Sequence, residues 1–67
     1  MGSWISCDEK LPDIGESVLI SVGSMYVTEA ELRDEYYWHQ FKWESLVRKD
    51  NVKVWMPLPK PYKEQKT

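Results

Sequence analysis

Tyr26-Val27-Thr28-Glu29-Ala30-Glu31-Leu32-Arg33, then Asp34-Glu35, then Tyr36-Tyr37-Trp38-His39-Gln40-Phe41-Lys42-Trp43 is the stretch whose reading decides the fold. Two periods compete in it. Thr28-x-x-Glu31 has the form of a helix capping box, and Leu32, Tyr36, Tyr37 and Phe41 fit one helical face. Alternation by twos also fits: Tyr26, Thr28, Ala30 and Leu32 fall on one side, and Val27, Glu29, Glu31 and Arg33 on the other. The aromatic run Tyr36 to Trp43 favours a strand over a helix. Strand–turn–strand, with Asp34-Glu35 as the turn, is therefore the preferred reading. In the second strand Tyr37, His39, Phe41 and Trp43 are the better core candidates. Tyr36, Trp38, Gln40 and Lys42 then share the outer side.

Outward from this centre the chain punctuates itself. Ser17-Val18-Leu19-Ile20-Ser21-Val22 is apolar and β-branched, and Gly23-Ser24 suits a tight hairpin. Leu11-Pro12-Asp13-Ile14-Gly15-Glu16 reads as a turn, with proline fixing φ and glycine tolerating positive φ. Glu44 to Asn51 is polar apart from Leu46 and Val47 and reads as a loop, with room for one helical turn. Val52-Lys53-Val54-Trp55 alternates as a last short strand. Met56-Pro57-Leu58-Pro59-Lys60-Pro61 then leaves the sheet for polyproline II, since prolines lack N–H donors. The expected fold is mainly β, with a small α+β domain as the alternative. It has three or four antiparallel strands closed by Trp/Pro-rich terminal segments. Residues 4–61 form one small domain, and residues 62–67 form a polar C-terminal tail.

Sixty-seven residues support one marginal core, which usually needs a staple. Cys7 is the only cysteine and His39 the only histidine, so neither an intrachain disulfide nor a Cys/His metal site is expected. The four tryptophans, four tyrosines and Phe41 are the remaining means of filling the core. Their surplus would serve a partner surface or a homodimer. The net charge of −2, from charges of both signs, lacks the basic face that nucleic acid requires. No apolar run reaches a membrane span and no leader pattern is visible. With a single unpaired cysteine, these features point to a cytoplasmic protein.

Two segments bracket the chain. The front frame is Trp4-Ile5-Ser6, Leu11-Pro12, Gly15 and Val18-Leu19-Ile20; the back frame is Trp55-Met56-Pro57-Leu58-Pro59 with Pro61. Together they resemble the short W-I-S…L-P…G…V-L-V…H-W-M-P-L-P-x-P-P family of tailed bacteriophages and prophages, catalogued as domain of unknown function 551. The resemblance spans residues 4 to 61. Val54 stands where the family usually has histidine, and Tyr62 where it has a second proline. The resemblance implies a phage accessory protein acting in the host cell by non-enzymatic binding to a host or phage protein. A counter-defence inhibitor of anti-CRISPR or anti-restriction type is one alternative. A small ligand- or nucleic-acid-binding domain is another.

No catalytic residue and no cofactor is expected. His39 lacks a partner in sequence that would make it a base, and Asp8-Glu9 beside Cys7 disfavour a thiolate. Glu29, Glu31, Asp34 and Glu35, with Glu16 nearby, read as solvated charges that protect a strand edge. Within the central stretch, partner binding is expected at Tyr36, Trp38, Lys42, Glu29, Glu31 and Glu35. Trp4, Leu11, Pro12, Gly15, Trp55, Pro57, Leu58 and Pro59 are expected to frame the fold, with each indole packed under a proline segment.

Overall fold

The computed structural model describes residues 3–58. The alternating segments form strands β1 (Ile5–Ser6), β2 (Ser17–Val22), β3 (Tyr26–Leu32), β4 (Tyr37–Gln40), β5 (Ser45–Arg48) and β6 (Val52–Pro57). A single 3-10 turn, Lys49–Asn51, separates β5 from β6. All pairings are antiparallel, and the sheet order is β1-β6-β2-β3-β4-β5.

Glycine marks two of the connections as its chemistry demands. Gly15 has φ +89° in a turn closed by the Glu16 N–H on the Asp13 carbonyl. Gly23 has φ +55° after β2, where the Met25 N–H donates to the Val22 carbonyl. The strand–turn–strand reading holds for Tyr26–Leu32 and Tyr37–Gln40, while Phe41, Lys42 and Trp43, expected in the second strand, lie in the turn that follows it.

The core lies on one face of the sheet. Val18, Ile20 and Val22 of β2, Ala30 and Leu32 of β3, Trp38 of β4, and Val52 and Trp55 of β6 are buried together. No helix covers them among the described residues, so the sheet must cover itself. The chain dictates this. In a flat sheet β5 and β6 would stand four strand steps apart, ~19 Å. Arg48 and Val52 are joined by only four Cα steps, at most ~15 Å. The sheet therefore curls until the 3-10 turn can bridge its edge, without closing its ladder. A register shift between Ser21 and Val22 on the β2–β6 ladder adds local bend.

Five expectations need correction. The sheet has six strands rather than three or four. Ser45–Arg48, read as loop, pairs with β4 as an edge strand; half of such a strand faces water, so two apolar residues suffice. The last strand does not stop at Trp55 but runs on to Pro57, which pairs with Val18. Pairing with β1 ends at Ile5–Trp55, so beyond it β6 is locally an edge and tolerates the proline. Among the described residues the ladder stays open between β1 and β5, and Trp4 is 44% exposed rather than packed. The fifth correction concerns β4, whose faces are inverted: Trp38 (0% exposed) and Gln40 are buried, while Tyr37 is exposed. A two-residue Asp34-Glu35 turn would set Leu32 opposite Tyr37. The actual register sets it opposite Trp38, and a one-residue slip exchanges every side chain between faces.

The polyproline reading beyond Leu58, Pro59 included, and the tail at residues 62–67 lie outside the described residues.

Candidate functional site

The turn between β3 and β4 is held by Asp34. Its Oδ1 accepts from the Tyr36 N–H at 2.8 Å and from the Tyr37 N–H at 3.0 Å, a side chain standing in for a backbone turn. The Arg33 N–H closes the turn on the Tyr37 carbonyl. On the far side, the Lys49 N–H donates to the Tyr36 carbonyl at 2.8 Å, which ties the 3-10 turn against this loop. Between them opens a groove of about 540 Å³ lined by Glu35, Tyr36, Tyr37, Arg48, Lys49 and Asp50. Tyr36 is 68% exposed at its rim. Two phenols, two cations and two carboxylates thus converge on one concavity whose backbone is fixed by hydrogen bonds.

Of the residues expected at a partner surface, the structure brings only Glu35 and Tyr36 together. Trp38 is in the core. Lys42 turns toward Trp43, its Nζ 5.4 Å from the ring centroid. Glu29 is exposed on the outer face of β3. Glu31, on the same face, contacts His39 Nδ1 at 3.2 Å. Tyr37, Arg48, Lys49 and Asp50 were missed as site residues. Tyr37 lies on the outer face rather than the expected inner one, and the other three lie in the expected loop. No local signal joins residue 36 to residue 49; the curl of the sheet does.

A second, shallower aromatic slot lies at the other end of the β4–β5 hairpin. Tyr26 and Trp43 meet edge to face with centroids 5.2 Å apart. Beneath them the Tyr26 hydroxyl donates to Gln40 Oε1 at 2.6 Å, and Gln40 Nε2 donates to Ser45 Oγ at 3.1 Å. This chain satisfies the buried amide and seals that end of the core.

His39 sits on the outer face of the sheet, with Glu31 at its Nδ1 and Glu44 Oε1 3.5 Å from its Nε2. Phe41 packs edge-on against the imidazole. Both ring nitrogens face carboxylates, and His39 lines neither the groove nor the aromatic slot. Among the described residues no group of three His, Cys, Asp or Glu side chains is placed to hold a metal. Cys7 is half-buried, and burial pushes its thiol above the ordinary value of 9.0. Lys49 and Lys53 oppose the rise and Asp8 adds to it. A thiol held neutral is a poor nucleophile.

The frame residues divide. Trp55 is 3% exposed, and its Nε1–H donates to the Lys10 carbonyl at 2.8 Å, pinning the β1–β2 loop to the core. Pro12 is buried in that loop, Leu11 packs against the core cluster, and the Gly15 N–H donates to the Leu32 carbonyl. Leu58 is half-buried and Pro57 exposed. Val54, at the position where the resembling family carries histidine, is half-buried between Ser6 and Ser21 on the outer face.

A family model described as "Protein of unknown function (DUF551)" matches residues 3–63. No curated protein and no solved structure matches the chain.

Proposed function

The chain belongs to the DUF551 family, and from that premise we propose that it is a non-enzymatic protein-binding module, an accessory protein of a phage or prophage that engages a host or phage protein. One observation carries this reading: the groove between the β3–β4 turn and the 3-10 turn presents an exposed Tyr36 beside Tyr37 and Arg48. Tyrosine and arginine dominate the energetics of protein interfaces, because they combine large contact area with hydrogen-bonding ends. Exposing tyrosine in a domain short of core material costs stability that Tyr36 does not return inside the fold. The mixed charges at the rim, Glu35 and Asp50 against Arg48 and Lys49, suit a polar peptide surface carrying both signs.

The test is affinity capture from host lysate with the wild type, Tyr36→Ala, Tyr37→Ala and Val27→Ala. Val27 is an exposed apolar residue on the outer sheet face, away from the groove. The proposal expects a specific partner to be held by wild type and Val27→Ala. The groove variants should weaken it about 30-fold, as for a hot-spot residue worth ~2 kcal/mol. Equal retention by all four proteins would remove the groove as the binding surface. The absence of any partner specific to the wild type would remove the binding reading itself.

A further inference from the structure

Among the described residues β5 ends the sheet, and only its β4 side is paired. The phase of that ladder identifies the backbone groups left over. The Lys49 N–H donates to the Tyr36 carbonyl, and these two residues stand opposite one another by one step beyond the Tyr37–Arg48 pair. Bonded and non-bonded pairs alternate along an antiparallel ladder. The bonded pairs are therefore Trp38 with Val47 and Gln40 with Ser45. Leu46 and Arg48 direct their N–H and C=O groups away from β4, to the unpaired side.

The side chains on this edge form a pattern with its own symmetry. Leu46 is 45% exposed on the outer face, across from His39. Glu44 ends the turn just before β5, at φ +52° with its N–H on the Phe41 carbonyl, and its carboxylate lies beside His39 on the same face. Arg48 lies two residues after Leu46, exposed and without an ion-pair partner among the described residues. An acid, a leucine and a base at this spacing are complementary to their own reversal. When two copies pair antiparallel, leucine meets leucine on the two-fold axis and each acid meets a base.

We infer that this chain self-associates as a two-fold dimer through antiparallel pairing of β5 with β5 of a second copy. Leu46 lies on the axis, and Glu44 of each copy faces Arg48 of the other. The backbone phase agrees with this register, because Leu46 offers both its N–H and its C=O outward and a central bonded pair exchanges both. Registers two residues to either side set Glu44 or Arg48 against leucine and lose the charge match. The contact is isologous and closes on itself, so it covers the open edges of two sheets without forming a fibre. A four-residue edge is much smaller than a standard interface, so the dimer forms at roughly micromolar concentration and above.

Sedimentation equilibrium through the micromolar range tests the inference, with far-UV circular dichroism as the check that each variant is folded. The wild type should show a monomer–dimer equilibrium. Arg48→Glu sets two pairs of carboxylates face to face, and Glu44→Arg sets two pairs of cations. Each alone should raise the dimer Kd about tenfold or more. An equimolar mixture of these two variants should dimerise at least as well as wild type, because both cross-axis contacts then join opposite charges. The double variant Glu44→Arg/Arg48→Glu should also recover. A wild type that stays monomeric throughout, or a dimer indifferent to the charge reversals, overturns the inference. A monomer that gains mass only when an extended foreign peptide is added overturns it too, by assigning the edge to another protein's strand.

Discussion

Trp55 and Trp38 are the two buried indoles of one small core, and they are satisfied differently. Trp55 belongs to the half of the sheet built from β1, β2 and β6. Its N–H reaches across 45 residues of sequence to the Lys10 carbonyl and fastens the β1–β2 loop. Trp38 belongs to the half built from β3, β4 and β5. It is wholly buried, yet its Nε1 has no hydrogen-bond partner among the described residues. A buried donor without an acceptor costs about 1–3 kcal/mol. The first half is cross-tied by polar contacts. The second spends its side-chain hydrogen bonds around its indole, through Asp34 at the β3–β4 turn and through Tyr26, Gln40 and Ser45 at the hairpin end, and leaves the indole itself to packing. The groove and the open edge both belong to the second half, where Trp38 is held by shape rather than by a hydrogen bond.

The comparison breaks most visibly if Trp38 is removed. Trp38→Ala should cost about 3–5 kcal/mol, as for other large aromatic deletions from cores. Because small domains have only roughly 5–15 kcal/mol in total, urea denaturation should show a domain near the limit of folding. A sharper test uses phenylalanine at both sites. Each change removes similar volume, but only Trp55→Phe also deletes a hydrogen bond. Trp55→Phe should therefore be about 1 kcal/mol more destabilising than Trp38→Phe in the same titration. Equal losses would mean that the two indoles are equivalent and the contrast is wrong. In the second half, Tyr26→Phe removes the donor from Gln40 Oε1 while keeping the ring against Trp43. A loss of ~1 kcal/mol is expected, and no change would show that the buried amide finds another partner.

The smallest effect lies in the first half, at Cys7. Burial raises its thiol pKa above the ordinary value of 9.0, so the unfolded chain ionises before the native one. The stability linked to this group is intact below 9.0. It is lost as pH rises through the native thiol's pKa. Wild type should therefore lose stability with rising alkaline pH more steeply than Cys7→Ala. Parallel pH profiles for the two proteins would show that the thiol ionises alike in both states.

Much of the first half is legible as sequence because its signals are chemical and local. Gly15 occurs where φ is +89°, Pro12 enters the core just before the turn, and β2 is a run of apolar and β-branched residues. β3 is legible for a similar reason: its small and apolar residues alternate with charges, so its inner face follows from composition. β4 is different. Aromatic residues occur on both of its sides, and hydrophobicity cannot choose between Tyr37 and Trp38. That choice rests on one residue of turn length, set by the Asp34 carboxylate and the bonds to the Tyr37 carbonyl. Glu35 and Tyr36 were found at the candidate site because a turn residue beside a strand of either phase is exposed. Arg48, Lys49 and Asp50 were not, because the polarity of an edge strand and a 3-10 turn looks like that of a loop.

By itself the sequence determined that this protein is an antiparallel β domain of the DUF551 family, where most of its turns fall, and which face of β3 is inside. Those properties depend on backbone chemistry and on contrasts between neighbouring residues. The tertiary structure alone decided that β6 lies between β1 and β2, that Trp38 rather than Tyr37 enters the core, and that Tyr36 meets the 3-10 turn across a groove. The choice of Trp38 rests on one residue of length in the β3–β4 turn, and the groove on how far a six-stranded sheet must curl for three residues to bridge β5 to β6. That is a condition on the whole chain which no short stretch of it contains.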